Sequence, residues 1–192
     1  MSQMINYFRN SAILNCDCYV ADYTNSTGNA RGVEISTSPF DDIDYFHLKK
    51  KISDQNLPYL AVNLEKYPAF IKGIENCECV FSSLSEAKKT WILMLETKYC
   101  EAHNIEDYTI KACSQMEETL CKLEKLNLTS RTQKRVYFAF SIPEHSDKAP
   151  FGAFTLSQDY GLKMKEKGIH VLGYNTVLIA TASFLQIPLC KI

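Results

Sequence analysis

The feature that most constrains the fold is an apolar run that ends in charge and is followed closely by a long amphipathic segment. The stretch WILMLETKYC, Trp91 to Cys100, begins as a buried strand, and Glu96 and Lys98 stand near its end. From about Ile105 to Asn127, apolar residues recur at helical spacing and charged residues occupy the other positions. A strand joined to a long amphipathic helix predicts a sheet with a helix packed on one face.

The remaining patterns extend this sheet. They predict strands near 71–82, 90–99, 136–142 and 169–173, so the expected fold class is α/β with a mixed central sheet. Ser38 as a cap and Pro39 at the first helical position predict a helix over Ser38 to Ile52. A further amphipathic helix is predicted near Gln158 to Lys167, followed by strands in IHVLGY and VLIATASFL. The segment YLAVNL, Tyr59 to Leu64, is too short to classify.

The N-terminal part reads as a β-hairpin. Ser11 to Thr24 is rich in strand formers, Asn25 to Gly32 has turn composition, and Val33 to Thr37 predicts the returning strand. We therefore expect a single domain over 1–192, with the hairpin and a helix in 1–58 as an addition to a core in 59–192.

Charge and hydropathy limit the classes of partner. The 192 residues carry a formal net charge of -1, so no overall attraction to nucleic acid or to an anionic membrane is expected. Contact with nucleic acid would need a local patch, for which the basic segments Arg131 to Arg135 and Lys163 to Lys167 are the candidates; solvated turns beside helices are the competing interpretation. No run resembles a signal peptide or a membrane span, which predicts a cytoplasmic protein.

The eight cysteines allow a second type of site, a zinc site. In the absence of a secretion signal, free thiols are expected rather than disulfides. Cys16 and Cys18 form one Cys-x-Cys pair and Cys77 and Cys79 another, and on strands each pair would share a face. Four thiolates of this kind could hold zinc. The competing interpretation is that they are small buried side chains in a sheet.

The charged end of the apolar run predicts a cluster. Residues of equal parity share a strand face, so Glu96 and Lys98 project together. If the preceding strand pairs with this one, Glu78 lies across from Glu96, and two carboxylates converge with a lysine. Such carboxylates suit magnesium, which prefers oxygen ligands and keeps several waters. The competing interpretation is an ion pair at a strand end, worth about 0–1 kcal/mol when exposed.

This order of residues resembles the PD-(D/E)xK restriction-endonuclease-like superfamily over about Phe70 to Ile142. The resemblance rests on Glu78 in CECVF, Glu96 and Lys98 in LETKY, and Gln115 in KACSQMEETL. It implies an αβββαβ core and a nuclease that hydrolyses phosphodiester bonds of nucleic acid. It also implies Mg²⁺ or Mn²⁺ held by Glu78 and Glu96, with Lys98 helping to position or activate the nucleophile and Gln115 as an accessory.

The chain departs from the pattern at several positions, and these departures keep a second interpretation open. The first acid is Glu78 instead of the usual Asp, and Cys77 precedes it in place of Pro. The acid expected on an early helix has no clear counterpart among Glu34, Asp54 and Glu65. The alternative is a catalytically inactive protein of the same fold that acts as a scaffold or in protein–protein interaction. A Cys100–His103 nucleophile is a further pairing, for which the sequence supplies no orienting third group.

Overall fold

Two mixed β-sheets and one long helix make up most of the fold. The computed structural model describes residues 3–24, 32–53, 55–145, 162 and 164–188. The large sheet contains β1 (Ala12–Leu14), β5 (Tyr59–Asn63), β6 (Cys79–Ser83), β7 (Thr90–Thr97), β8 (Lys134–Ser141) and β9 (Ile169–Leu172). The small sheet contains β2 (Cys18–Asp22), β3 (Val33–Ser36), β4 (Phe46–Lys50), β10 (Thr176–Ile179) and β11 (Leu185–Gln186). The described α-helices include α1 (Gln3–Tyr7), α2 (Pro68–Ile71) and α3 (Ile105–Lys125), and short 3-10 helices span Leu64–Lys66 and Ala102–Asn104.

Strand order in the large sheet follows the chain from β5 onward. The order is β1-β5-β6-β7-β8-β9, with antiparallel pairs as far as β7 and parallel pairs from β7 to β9. The long helix α3 connects β7 to β8, as a parallel pair of strands requires a crossover. Cys79 pairs with Leu95, so continuing the antiparallel register by one residue sets Glu78 opposite Glu96.

The large sheet is buried on both faces. The apolar residues of α3 pack on one face, where the core includes Val80, Ile92, Met94 and Phe138. The small sheet, of order β11-β10-β4-β2-β3, covers the other face, and Phe81, Leu93 and Leu95 pack there against its side chains. Because both faces are covered, β6 and β7 are buried along their whole length, which explains their nearly continuous apolar sequence.

The predicted long helix is confirmed. Its buried residues recur at helical spacing: Ile105, Thr109, Ala112, Cys113, Met116, Thr119, Leu120 and Leu123. It ends at Lys125, and Asn127 then adopts a positive φ of 54° while the Leu128 amide donates to the Leu123 carbonyl. Asn tolerates this left-handed conformation, so the chain turns out of the helix there.

Two predicted elements are wrong in type or extent. The helix predicted over Ser38 to Ile52 is absent, and β4 occupies its second half. Phe46, Leu48 and Lys50 are buried while His47 and Lys49 are less so, an alternation that favours a strand over the cap-like Ser-Pro signal. The strand predicted near 71–82 begins only at Cys79, because α2 and irregular chain precede it.

The predicted N-terminal hairpin is confirmed, but it belongs to the small sheet. Strands β2 and β3 pair antiparallel, as predicted. The segment Ser11 to Thr24 is not one strand, however, since β1 joins the large sheet and β2 the small sheet. The hairpin is therefore an integral part of a second sheet that also takes β10 and β11 from the C-terminal part.

The mixed α/β class is confirmed, whereas helices on both sides of the large sheet are not found within the described ranges. The predicted helix near Gln158 to Lys167 falls largely outside the described residues, and the predicted turn Asn25 to Gly32 does so except for its last residue. Among the described helices, none combines the length and the apolar character that crossing a membrane requires.

A half-buried lysine at the start of β8 gives the fold a measurable pH dependence. Lys134 donates through Nζ to the Ser83 carbonyl over 2.7 Å, and partial burial lowers the pKa of Lys134 to about 8. Below that pH the half-buried ammonium destabilises the fold. As the pH rises from about 8 towards the ordinary lysine value of 10.5, the folded state loses its proton first and stability is gained.

We therefore expect the free energy of unfolding of the wild type to rise relative to that of Lys134→Met between about pH 8 and about pH 10. Urea unfolding at several pH values measures this difference, and the other groups that titrate there cancel because both proteins contain them. The exposed Lys125→Met provides the control, whose curve should run parallel to the wild type. A parallel curve for Lys134→Met would contradict the expectation.

Candidate functional site

Glu78, Glu96 and Lys98 come together where β6 begins and β7 ends. Glu78 immediately precedes β6, Glu96 is the second-last residue of β7, and Lys98 follows that strand. The Lys98 amide donates to the Ser141 carbonyl over 2.9 Å, which continues the pairing of β7 with β8 and fixes the backbone beside the cluster. We call these three residues the charged trio.

Each carboxylate has one oxygen bound by the neighbouring strand. Glu96 Oε2 accepts from the Glu78 amide over 3.0 Å. Glu78 Oε2 accepts from the Thr97 amide over 3.0 Å and also from the Thr97 hydroxyl. The two side chains thus form a crosswise clamp between the strands. This clamp explains why glutamates occupy these otherwise apolar strand ends, because each one satisfies a backbone donor of the other strand.

The remaining oxygens of the two carboxylates face one ammonium. Lys98 Nζ lies 2.6 Å from Glu96 Oε1 and 3.3 Å from Glu78 Oε1. The exposed fraction is 1% for the Glu96 side chain, 9% for Glu78 and 14% for Lys98. This is a largely desolvated cluster and not the exposed ion pair of the competing interpretation, so its charges interact more strongly than surface charges do.

The charges within the trio do not balance. Burial raises the pKa of Glu78 well above its ordinary value, and the negative charge of Glu96 adds to this more than Lys98 offsets it. Burial also raises the pKa of Glu96, against the opposing effect of Lys98. Burial alone would lower the pKa of Lys98, but the two carboxylates outweigh it and raise that pKa. Two carboxylates around one ammonium therefore favour a further positive charge.

Asp22 is a buried acid near the trio that the sequence patterns did not single out. It ends β2 in the small sheet with 3% of its surface exposed, and its Oδ1 accepts from the Thr24 amide over 2.9 Å. Its negative charge raises the pKa of both Glu78 and Glu96. No sequence signal could have found it, because it reaches the trio only through the packing of one sheet on the other.

The acids suggested for the missing helix position lie elsewhere or outside the described residues. Glu65 Oε2 accepts from the Val33 amide over 2.9 Å, so it ties the chain after β5 to β3. Glu34 lies within β3, opposite Ala21. Asp54 is outside the described residues. The carboxylate of Glu65 is thus engaged in this link between β5 and β3.

Gln115 supports the chain that leads into Glu78 and has no described contact with the trio. Its Nε2 donates to the Asn76 carbonyl over 3.1 Å, and one turn later Thr119 Oγ1 accepts from the Cys77 amide over 3.0 Å. The Gln115 Oε1 is buried and has no hydrogen-bond partner among the described residues. Helix α3 therefore holds the residues before Glu78 in place through two polar side chains.

The structure does not bring the two Cys-x-Cys pairs onto one shared face. Cys77 packs in the core beneath α3 while Cys79 packs between the sheets, so the two do not share a face as predicted. The reason is that Cys77 precedes β6, where the side chains do not follow the alternation of a strand. Cys16 is exposed and Cys18 buried. His103 is exposed and Cys100 is half-buried, and the Cys100 carbonyl lies 2.8 Å from His145 Nε2. In the described ranges, no three His, Cys, Asp or Glu side chains are grouped to hold a metal.

The basic segments are engaged within the protein. Arg131 binds Glu124 with Nε–Oε1 at 3.0 Å, and the Arg135 guanidinium lies 4.0 Å from the centre of the Phe184 ring. Lys167 Nζ lies 2.6 Å from Glu117 Oε2, and Lys163 is outside the described residues. These contacts favour the interpretation of turns beside helices over that of a phosphate-binding patch.

Comparisons with protein families, curated proteins and solved structures found no match for this chain. The Oε1 atoms of Glu78 and Glu96 converge on one cation, the Lys98 ammonium, and carboxylate oxygens are the ligands that Mg²⁺ and Mn²⁺ prefer. With two protein ligands and water for the other positions, the donor set fits such an ion.

Proposed function

We propose that the charged trio is the active site of a magnesium-dependent nuclease that hydrolyses phosphodiester bonds of nucleic acid. The observation that carries this proposal is the convergence of Glu78 Oε1 and Glu96 Oε1 on Lys98 Nζ, at 3.3 Å and 2.6 Å, at the ends of two paired strands. Buried acids beside a lysine are costly to fold, and such groups concentrate at functional sites.

The order of elements supports the resemblance to restriction-endonuclease-like proteins. From β5 the chain runs strand, short helix α2, strand, strand, long helix α3, strand, which matches the βββαβ part of the αβββαβ core apart from the insertion of α2. The first acid precedes the second of these strands and the Glu-x-Lys pair ends the third. The small sheet on the other face is a feature of this chain that the resemblance does not include.

Each residue of the trio has a distinct role in this proposal. Glu78 and Glu96 would hold the ion through their Oε1 atoms, while their Oε2 atoms stay bound to backbone amides and keep the carboxylates oriented. Bound magnesium or manganese supplies Lewis-acid stabilisation of the phosphate and lowers the pKa of water. The Lys98 ammonium offsets the charge of the scissile phosphate. Lys98 also contacts both Oε1 atoms, so it has to move aside for the ion.

The substitution Lys98→Met tests separately whether Lys98 pairs with the phosphate and whether it competes with the metal ion. We expect cleavage of mixed DNA and RNA substrates, in magnesium or manganese, to fall by about 100-fold or more because the phosphate loses its cationic partner. We expect metal affinity by calorimetry to stay equal or to increase, because the competing ammonium is gone. Lys167→Met is the matched control, since it removes a lysine whose Nζ lies 2.6 Å from Glu117, a carboxylate outside the trio.

Two results would contradict the nuclease proposal. One is the absence of any metal-dependent cleavage by the folded wild type on either nucleic acid. The other is cleavage that survives Lys98→Met at the level of Lys167→Met, which would trace the activity to another site or to a contaminant.

A second candidate function is a non-catalytic interaction or scaffold protein that keeps the fold. The observation that favours it is that the Lys98 ammonium already pairs with both Oε1 atoms, while Glu96 is only 1% exposed. In that case the trio is a structural ion cluster that joins β6 to β7. Calorimetry with magnesium or manganese distinguishes the two functions, because a structural cluster would bind neither ion at concentrations of about 1–10 mM.

A further inference from the structure

A second candidate site lies where the edges of the two sheets separate. A cleft of about 370 Å³ opens between β1 and β5 of the large sheet and β3 of the small sheet. This volume falls in the range of small-molecule sites, near its lower end. Asn63, on one wall, pairs with Cys79, so the cleft borders the strand that begins after Glu78 without sharing a residue with the trio.

The walls of the cleft combine apolar surface with hydroxyl groups. Leu14 and Ile35 contribute apolar side chains from facing edge strands. Ser11 Oγ and Tyr67 OH are hydrogen-bonded to each other over 2.7 Å within the lining. Ser36 Oγ accepts from the Ser38 amide over 3.0 Å, which leaves its own proton available for a ligand. The cleft therefore offers hydroxyl donors to a polar part of a ligand and, beside them, an apolar surface to a less polar part.

Lys66 provides the charge of the cleft. It is the one Asp, Glu, Lys or Arg side chain in the described lining, and it makes no ion pair or hydrogen bond with a described side chain. Lys66 is exposed, and the carboxylate of the neighbouring Glu65 is turned to the Val33 amide, from which its Oε2 accepts a hydrogen bond over 2.9 Å. An ammonium without a partner among the described side chains, beside hydroxyl donors, suits an anionic group such as a phosphate.

We propose that this cleft binds a free phosphorylated ligand of mononucleotide size. The phosphate binds the Lys66 ammonium with help from hydroxyl donors, and the less polar body of the ligand packs on Leu14 and Ile35. This inference does not rest on the proposed nuclease chemistry, because none of the trio takes part. The chemistry of the walls selects a monophosphate ester over inorganic phosphate, which lacks the body, and over a nucleoside, which lacks the charge.

Titration with adenosine monophosphate, adenosine and inorganic phosphate tests the proposal. We expect calorimetry to give adenosine monophosphate a Kd between about 10 μM and about 1 mM, at least about tenfold tighter than either fragment. Lys66→Glu should weaken this binding by about tenfold or more, whereas the exposed Lys125→Glu on α3, an equal charge reversal elsewhere, should leave it unchanged. Amide chemical shifts should move at the cleft, around Ser36 and Tyr67.

Four outcomes would overturn the proposal: no binding of the nucleotide up to about 10 mM, adenosine binding as tightly as its monophosphate, equal affinity in Lys66→Glu and Lys125→Glu, or shift changes confined to residues away from the cleft. Glu96→Gln separates this site from the proposed active site. Nucleotide affinity that persists in a variant without metal-dependent cleavage supports the cleft, whatever becomes of the nuclease proposal.

Discussion

Replacing Glu96 with glutamine should reduce metal-dependent cleavage by about 1,000-fold, the largest functional effect we expect from a single substitution. Glutamine keeps the volume of the side chain and an acceptor for the Glu78 amide, which Glu96 Oε2 binds at 3.0 Å. It removes the negative charge that faces Lys98 Nζ at 2.6 Å and that the bound ion would need. We expect the metal affinity measured by calorimetry to fall by at least about 100-fold.

Glu117→Gln is the matched control for this substitution. Glu117 is also a carboxylate paired with a lysine at 2.6 Å, but it lies on α3 outside the trio and its side chain is 32% exposed. Its substitution should leave both cleavage and metal affinity at the wild-type level. If the two variants behave alike in both assays, Glu96 is not a metal ligand and the trio is a structural cluster.

Phe81→Ala should destabilise the protein by about 3–5 kcal/mol, the largest effect on stability that we expect from one substitution. Phe81 has no exposed surface and fills the space between the two sheets. Its ring lies 6.3 Å from that of Tyr59, and its strand neighbours are Ala61 and Leu93. The rigid sheets on either side prevent the cavity from collapsing, so the lost contacts are not replaced.

Phe184→Ala removes the same side chain from a position that is 46% exposed. It loses the contact with Arg135 at 4.0 Å, so we expect a cost of about 0.5–1 kcal/mol. Urea unfolding of both variants measures the difference. Equal losses in the two variants would mean that the sheets do not pack on each other through Phe81.

The elements that could be predicted from sequence are those whose pattern is local. Helix α3 combines a 21-residue length with helical spacing of its buried residues, and β7 is a continuous apolar run, so each has one consistent interpretation. The segment that forms β4 carries two conflicting signals. Ser38 and Pro39 resemble a helix start, whereas the alternation over Phe46–Lys50 favours a strand, and pairing with β2 and β10 decides the outcome.

The small sheet could not be derived from the sequence, because its pairs join distant parts of the chain. Thr176 pairs with His47 and Leu48 with Cys18, and no local pattern encodes either contact. For the same reason, only some residues of the two candidate sites could be predicted from the sequence. The parity of Glu78, Glu96 and Lys98 was sufficient to place these residues together on paired strands, whereas Asp22 reaches them from the small sheet and Lys66 reaches the cleft from the chain after β5.

The crosswise clamp couples the arrangement of the charged trio to the pairing of β6 with β7, so that one cannot open without the other. The Glu78 amide is bound by one carboxylate of the trio and the Thr97 amide by the other. Neither carboxylate can turn away without leaving an amide of the opposite strand without its hydrogen-bond acceptor. Hydrogen–deuterium exchange at these two amides therefore reports how often the site opens, in the resting protein and without any substrate.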